Sequence, residues 1–382
     1  MESKKCIRVG VLGFGSMGKT NTYAIRNLPL YMSPLDFSVE IAGICTTNFE
    51  KTQALCKTYQ FPIPAHNEDE LIYDPTIDVI DICTPNCFHY DTLKKALLAG
   101  KHVYCEKPLC ISAEQANEIA ELAASRPNQI CNIVFNNRFI APILRAKQII
   151  DEGRIGRLLS FSATYLHNSN IHEDQPVGWK QDKDVCGGGV LFDLGSHVID
   201  LIYFLGGKFS SVLAETQEAY PQRIFRDGTA KAANADDAFY MIAKLENGAH
   251  GTISASKIAI GTNDDLKIEL FGQNGALRFS LMEPNYLYFY DGSAEEQPIG
   301  GYRGYTAIEC VGRYPAPGGG FPSSKAPSGW LRGHVESMFC FLQNVSRRTQ
   351  GAPSFFDAAY VQNVMEAAYR SASTKSWVEI GD

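Results

Sequence analysis

Short uninterrupted apolar runs mark the first third of the chain, and being apolar on both faces they are typical of buried strands in a parallel sheet. Stretches with helical periodicity separate them. Residues 91–99 end at Gly100, and residues 113–124 follow Ser112, which with Gln115 predicts a capping box. The predicted strands are residues 7–12, 39–45, 79–83, 103–106 and 130–135. Strands that alternate with helices predict a doubly wound α/β sheet.

The pattern changes after about residue 157. Longer strand-like stretches at 158–167 and 211–219 precede two hairpin signals, Asn247-Gly248 and Asn274-Gly275, each flanked by β-type residues. This predicts an α+β domain with a large, mostly antiparallel open sheet. We therefore expect an N-terminal parallel-sheet domain over residues 1–131 and a second domain over residues 132–382.

Four further segments complete the predicted organisation. Residues 28–38 look like an insertion before the second strand. Residues 312–328 are crowded with Gly, Pro and Ser, and form either a mobile lid or a plain surface loop. Amphipathic stretches at 335–344 and 357–371 predict two closing helices.

Composition narrows the classes of function. With 382 residues the chain is long for a single core, and its net charge of -7 argues against nucleic acid or an acidic membrane surface as the main partner. No apolar run approaches membrane-spanning length. The 11 cysteines include no C-x-x-C pair, so they indicate neither a disulfide framework nor a zinc ribbon. Reduced thiols favour a cytoplasmic protein.

A glycine-rich turn directly follows the first predicted strand and opens a helix. It has the pattern G-x-G-x-x-G, formed by Gly13, Phe14, Gly15, Ser16, Met17 and Gly18. The first glycine permits the tight turn, the second lets the backbone approach a pyrophosphate, and the third packs the helix against the strand. We expect a dinucleotide here, its phosphates facing the helix N-terminus. An ordinary glycine turn is the alternative.

The end of the second strand leaves NAD and NADP both open. Thr46 and Thr47 stand where a carboxylate usually holds the ribose hydroxyls of NAD, and no carboxylate occurs before Glu50. Lys51 lies nearby, but no arginine is present to clamp a 2′-phosphate with two hydrogen bonds.

Two further motifs carry residues suited to proton transfer. Lys107 falls at the carboxyl end of a predicted strand, where open α/β sheets place their ligands, and it could bind a reacting hydroxyl or act as a base. Asp193 and His197 are spaced i and i+4, so one helix face would present a carboxylate that orients an imidazole. The three glycines at 187–189 would let a ligand approach the backbone closely.

These motifs, in this order, resemble the glucose–fructose oxidoreductase, inositol dehydrogenase and rhizopine-catabolism (Gfo/Idh/MocA) family over most of the chain. The resemblance rests on the glycine turn, on Thr84-Pro85-Asn86 with His89, on Glu106-Lys107-Pro108, on Asn137-Arg138-Phe139, on Gly153-Arg154-Ile155-Gly156 and on the glycine-rich stretch ending in Asp193-x-x-x-His197. It implies a Rossmann domain, a cis bond before Pro108, and a dehydrogenase of sugars or polyols.

The resemblance also implies residue roles. Lys107, Asp193 and His197 would be catalytic, with His197 or Lys107 taking the hydroxyl proton while the carbinol hydride passes to nicotinamide. Beyond the glycine turn, the expected contacts of NAD or NADP are Thr46, Thr47, Thr84, Pro85, Asn86, His89, Glu106 and Lys107. Two alternatives stay open: a glycoside hydrolase that transiently oxidises its sugar with bound NAD, and a non-catalytic sugar or nucleotide sensor, which the intact catalytic set disfavours.

Aromatic faces with hydrogen-bonding tips would suit the hydroxylated ring of a small-molecule sugar or polyol. The expected substrate contacts are Lys107, Arg138, Tyr165, His167, Trp179, Lys180, Asp193 and His197. The group His167, His172, Glu173 and Asp174 has no metal-site spacing, so we expect no metal.

The second domain is also expected to associate with copies of itself. The strand at 286–290 mixes apolar and aromatic residues, and no long helix lies between the two hairpins and this strand to cover the far sheet face. Relatives that the chain resembles pair or tetramerise through this sheet, which favours a homodimer or homotetramer. A solvated far face is the alternative.

Overall fold

The computed structural model describes residues 5–174, 176–225 and 227–381. Two units divide the chain. The first contains the residues up to Asn136, with Arg313–Ala326 and Trp330–Ala359. The second contains Asn137–Gly312, Pro327–Gly329 and the residues from Tyr360 onward.

The strands are β1 (Cys6–Leu12), β2 (Ser38–Cys45), β3 (Ile63–Ala65), β4 (Val79–Ile82), β5 (His102–Cys105), β6 (Cys131–Ile133), β7 (Leu158–Leu166), β8 (Phe209–Gln217), β9 (Gln222–Ile224), β10 (Ala230–Ala232), β11 (Ala238–Leu245), β12 (His250–Ser256), β13 (Asp265–Gly272), β14 (Gly275–Ser280), β15 (Tyr286–Asp291), β16 (Tyr305–Glu309) and β17 (Val378–Glu379). The helices are α1 (Ser16–Tyr31), α2 (Phe49–Tyr59), α3 (Asp69–Ile72), α4 (His89–Leu98), α5 (Ala113–Ala124), α6 (Ala141–Asp151), α7 (Lys183–Cys186), α8 (Ser196–Gly206), α9 (Trp330–Arg347) and α10 (Phe355–Thr374).

The first sheet is parallel and has the strand order β3-β2-β1-β4-β5-β6. This confirms the predicted doubly wound sheet, to which the structure adds the short edge strand β3. The order reverses direction between β1 and β4, and in open α/β sheets ligands bind at the carboxyl ends of the strands beside such a reversal.

The structure also tests two predictions about helices, the cap of α5 and the insertion predicted at the end of α1. Ser112 caps α5 by accepting a hydrogen bond from the backbone N–H of Gln115 at 3.2 Å, as expected. The reciprocal bond of the capping box is not made, because Oε1 of Gln115 is buried without a hydrogen-bond partner. Part of the predicted insertion at 28–38 instead extends α1 as far as Tyr31.

Helix α9 returns to the first unit, so the predicted division after residue 131 was wrong for this part of the chain. Its apolar side chains join the core around β1 and α1: Val335, Met338, Phe341 and Leu342 pack in one buried cluster with Val9, Val11, Ile25 and Leu28. Since α9 completes the apolar cover of the first sheet, residues 313–326 and 330–359 belong to the first unit.

The Gly/Pro-rich segment before α9 is a packed loop. Arg332 donates a hydrogen bond to the Gly318 carbonyl at 2.8 Å, and its guanidinium lies 3.8 Å from the centre of the Tyr314 ring. Glu336 pairs with Arg332 at 2.8 Å, and both side chains are buried. These contacts favour the surface-loop alternative over a mobile lid.

The second sheet has nine strands in the order β16-β15-β14-β13-β7-β12-β11-β8-β17. All its neighbouring strands are antiparallel except β7 and β12, which are parallel. The hairpins predicted at Asn247-Gly248 and Asn274-Gly275 connect β11 to β12 and β13 to β14, which confirms both.

Within the described part of the chain, one helical stretch, Lys183–Gly206, is long and apolar enough by composition to cross a membrane. Because 83% of its apolar window is buried inside the protein, as in the core helix of a globular fold, it is weak evidence for a span.

Candidate active site

The glycine turn of the first unit contains glycines of two kinds: two that the packing of the protein requires, and one that faces open space. Gly13 has a φ of +89°, and a Cβ there would lie 2.5 Å from the Cys83 carbonyl oxygen. A Cβ on Gly18 would lie 2.2 Å from the Gly13 carbonyl oxygen. Both are therefore required by the packing of the protein itself. Gly15, in contrast, has no atom within 4 Å of its Cβ direction and lies at the N-terminus of α1. This open space next to free helix N–H groups fits a dinucleotide pyrophosphate.

The turn after β2 uses the Thr46 side chain internally. The Thr46 hydroxyl lies 2.8 Å from the Thr52 hydroxyl and donates to the Asn48 carbonyl at 3.0 Å. Asn48 caps α2 by accepting from the Lys51 N–H at 2.7 Å. Thr47 is exposed, so of the two predicted ribose contacts it is the one whose side chain faces solvent.

Loops after β4 and β5 carry the next predicted residues. Thr84, Pro85 and Asn86 follow β4, and Glu106 and Lys107 follow β5, all at the carboxyl edge that also carries the glycine turn. Glu106 is buried and Lys107 is half-buried, and the Lys107-Pro108 bond is cis, as the family resemblance implied.

His89 has a different position from the one expected of a cofactor contact. It is fully buried, with Nδ1 3.0 Å from the Pro108 carbonyl and Nε2 2.9 Å from the Thr84 carbonyl. Burial lowers its pKa, although these carbonyl contacts oppose the shift. His89 therefore connects the loops that carry Thr84 and Lys107, a tertiary role that its motif did not indicate.

In the second unit, Asp193 and His197 do not share one regular α-helix as predicted. Asp193 lies in a π-helical turn, Leu191–Gly195, which leads into α8, where His197 is buried. Two ammonium groups hold the Asp193 carboxylate: Lys180 at 2.9 Å from Oδ1 and Lys257 at 2.8 Å from Oδ2. Sequence reasoning missed Lys257, since it follows β12 and carries no local motif.

Two glycines of the run at 187–189 pack closely against other parts of the protein rather than against the ligand predicted there. A Cβ on Gly188 would lie 2.5 Å from the Tyr369 hydroxyl, and one on Gly189 would lie 2.2 Å from the Asp236 carbonyl oxygen. The Asp236 carboxylate accepts from the N–H groups of Gly189 at 3.0 Å and Leu191 at 2.9 Å. Asp236 thereby fixes the start of the π-helical turn.

Three predicted residues meet around Asp264, which the sequence did not single out. Tyr165 donates to the Asp264 carboxylate at 2.6 Å, His167 lies 2.9 Å from the same oxygen, and the Tyr165 and His197 rings are 5.9 Å apart. Burial tends to raise the pKa of Asp264, but hydrogen bonds from His167 and Tyr165 outweigh it and hold the pKa below its usual value. Burial and the Asp264 charge raise the pKa of Tyr165.

Arg138, another predicted substrate contact, does not lie where a ligand could easily reach it. It is buried in a bidentate ion pair with Asp200, its Nε 3.0 Å from each carboxylate oxygen. A guanidinium held in this way by a buried carboxylate is engaged inside the second unit, so the structure does not favour a substrate contact there. Trp179 begins a 3₁₀ turn, Trp179–Gln181, and is 38% exposed. Among the residues that the structure describes, no group of three His, Cys, Asp or Glu could hold a metal ion.

Comparison with known proteins agrees with both units. The family model described as an oxidoreductase family with an NAD-binding Rossmann fold matches residues 7–133, and that of the GFO/IDH/MocA C-terminal domain matches residues 143–278. The chain is 29% identical to levoglucosan dehydrogenase of Pseudarthrobacter phenanthrenivorans, over 98% of each chain.

Solved structures agree as well. That of a levoglucosan dehydrogenase in complex with NADH and levoglucosan has a TM-score of 0.94 and 28% identity, covering 99% of this chain and 100% of the other. An NAD binding oxidoreductase from Klebsiella pneumoniae has a TM-score of 0.92 and 28% identity, covering 98% and 99%. The expected family is confirmed: this chain belongs to the Gfo/Idh/MocA oxidoreductases and carries their NAD-binding Rossmann domain.

Proposed function

We propose that this oxidoreductase oxidises a ring carbinol of a sugar, cyclitol or glycoside, with NAD or NADP as the hydride acceptor. The observation that carries the proposal is the open space at Gly15, next to the N-terminus of α1. When bound, the nicotinamide ring supplies the redox chemistry by accepting a hydride. The names of the relatives, among them levoglucosan dehydrogenase and a glucose-6-phosphate 3-dehydrogenase from Bacillus subtilis, support a carbohydrate substrate.

Lys107, Asp193 and His197 are the proposed catalytic residues. As the carbinol C–H bond breaks and its hydride leaves, the hydroxyl O–H proton passes to the His197 imidazole or to Lys107. The reaction thus releases one ketone and one proton for each hydride transferred. Asp193 stabilises the cationic imidazole that proton uptake creates.

Trp179, Lys180 and His167 are the proposed substrate contacts. The partly exposed Trp179 indole offers an apolar face for a sugar ring, and Lys180, whose side chain is 48% exposed, offers an ammonium donor for hydroxyl groups. Tyr165 is buried and bonded to Asp264, so we propose that it supports His167 and His197 from behind.

A panel of sugars, anhydrosugars and cyclitols, each incubated with NAD and with NADP, tests the proposal. We expect sugar-dependent accumulation of reduced cofactor with at least one ring polyol, and none without sugar. If no compound reduces either cofactor, the proposal is wrong. Cleavage of a glycoside without net reduced cofactor would instead establish the hydrolase that uses transient oxidation.

We further propose that the protein is a homodimer or homotetramer, associated through the open face of the second sheet. Tyr240 and Ile242 of β11 are 52% and 46% exposed on this face, and Leu213 of β8 lies opposite Ile242. Light scattering should give at least twice the chain mass, and Ile242→Asp should reduce it. A wild-type mass near 42.1 kDa would mean that the face is solvated.

We place the protein in the cytoplasm because its 11 scattered cysteines suit a reducing compartment, and cell fractionation checks this.

A further inference from the structure

Lys257 is a buried lysine that neither the motifs nor the family resemblance marked. It follows β12 and is 4% exposed. Its backbone N–H donates to the Asp237 carbonyl at 2.8 Å, and its own carbonyl accepts from the Asn170 N–H at 2.8 Å. The backbone is therefore held on both sides, while the side chain extends to Asp193.

The two residues that hold Lys257 are themselves fixed by a buried network. Asp237 pairs with Arg223 at 2.8 Å, and each of these side chains is 3% exposed. The Asn170 amide also donates to Asp237 at 2.9 Å. These buried charges and amides form hydrogen bonds and an ion pair with one another. The backbone of Lys257, which is bonded to two of these residues, is therefore held in a single position.

The two lysines on Asp193 differ in burial. Lys180 contacts Oδ1 through a side chain that is 48% exposed, whereas the side chain of Lys257, on Oδ2, is 5% exposed. An exposed ion pair contributes little, because water screens it and a long side chain must be ordered. A buried ammonium is costly unless it is paired, so its geometry toward the carboxylate is constrained. Lys257 is therefore the contact that can fix the Asp193 carboxylate.

We propose that Lys257 is a positioning residue for proton transfer: it fixes the Asp193 carboxylate and offsets its charge, and thereby sets the basicity of His197. This inference rests on the proposed function, in which Asp193 and His197 act on the substrate hydroxyl. Other titratable groups around them in the second unit are Tyr165, His167, Lys180, Cys186, Asp236 and Asp264.

Loss of Lys257 has two separable consequences. An Asp193 carboxylate that has lost its contact with the Lys257 ammonium is less well oriented, which lowers kcat. Its negative charge is also less compensated, so the cationic form of His197 is favoured and the base stays protonated to higher pH. The acid limb of the pH profile of kcat/KM therefore moves to higher pH.

The test compares Lys257→Met and Lys257→Gln with the wild type on the best sugar of the panel. For Lys257→Met we expect kcat to fall ~10²-fold, KM for the sugar to change little, and the acid limb to move up by about one pH unit. Lys257→Gln can still donate a hydrogen bond to Asp193, so kcat should partly recover while the acid limb stays displaced. Rates are measured only on protein that unfolds cooperatively. If Lys257→Met does not fold, the kcat and pH profile of Lys257→Gln test the proposal.

Lys267→Met is the matched control. It removes an ion pair of the same length, 2.8 Å to Asp265, from a side chain that is 53% exposed in the same unit. We expect its kcat and pH profile to equal those of the wild type. An active wild type with Lys257 variants of unchanged kcat and pH profile would overturn the inference alone. An inactive wild type would overturn the proposed function.

Discussion

Gly15→Val is expected to abolish binding of NADH and NADPH while leaving the protein folded. The valine would fill the open space at the N-terminus of α1, where the pyrophosphate accepts hydrogen bonds from backbone N–H groups. Losing two charge-assisted hydrogen bonds costs about 3–6 kcal/mol, which weakens binding by ~10²–10⁴-fold. Calorimetric titration with each reduced cofactor measures this loss of affinity.

The fold should survive because the Gly15 backbone is not in the left-handed region. Its φ is -79°, and nothing lies within 4 Å of the added Cβ. Gly304→Val is the matched control, since Gly304 likewise has no atom within 4 Å and belongs to the second unit. Full cofactor affinity in folded Gly15→Val would show that the turn does not bind a pyrophosphate.

Lys107→Ala is expected to lower kcat by ~10²–10⁴-fold, the usual contribution of an acid–base group. The side chain is half-buried at the carboxyl end of β5, and its proposed role is at the reacting hydroxyl. Most of the cofactor affinity should persist, because the glycine turn is unchanged. Steady-state kinetics on the best sugar, with NADH titration of the same protein, measure both quantities.

Lys94→Ala provides the control for Lys107→Ala. Lys94 is on α4 of the same unit, pairs with Glu118 at 2.7 Å, and its side chain is 38% exposed. Removing this surface ion pair should leave kcat unchanged. If Lys107→Ala retains more than about a tenth of the wild-type kcat, the acid–base assignment is wrong.

Local signals in the sequence were enough to predict most strands of the first sheet, the glycine turn and two hairpins of the second sheet. Apolar runs located five of the six strands of the first sheet, and Asn-Gly pairs located two turns of the second. Each signal lies within a few consecutive residues, because strand burial and turn geometry depend on neighbours in the chain. Strand β3 was missed because Ile63–Ala65 is too short to form a pattern.

Only the tertiary structure decided what several of the motif residues contact. His89 bonds to the carbonyls of Thr84 and Pro108, and the glycines at 188 and 189 pack against Tyr369 and Asp236. The same residue types would suit a ligand, so the motif alone could not separate the two uses. The choice depends on which distant segment packs next to the motif.

The charged groups around Asp193 likewise depend partly on the sequence and partly on the tertiary structure. Its spacing from His197 is visible in the sequence, and a proton-transfer role could be proposed from it. Lys257 and Asp264 reach Asp193, Tyr165 and His167 only because β12 and β13 lie on either side of β7 in the sheet. Strand pairing between distant segments brings these charges together, and no periodicity in the chain encodes which side chains will meet.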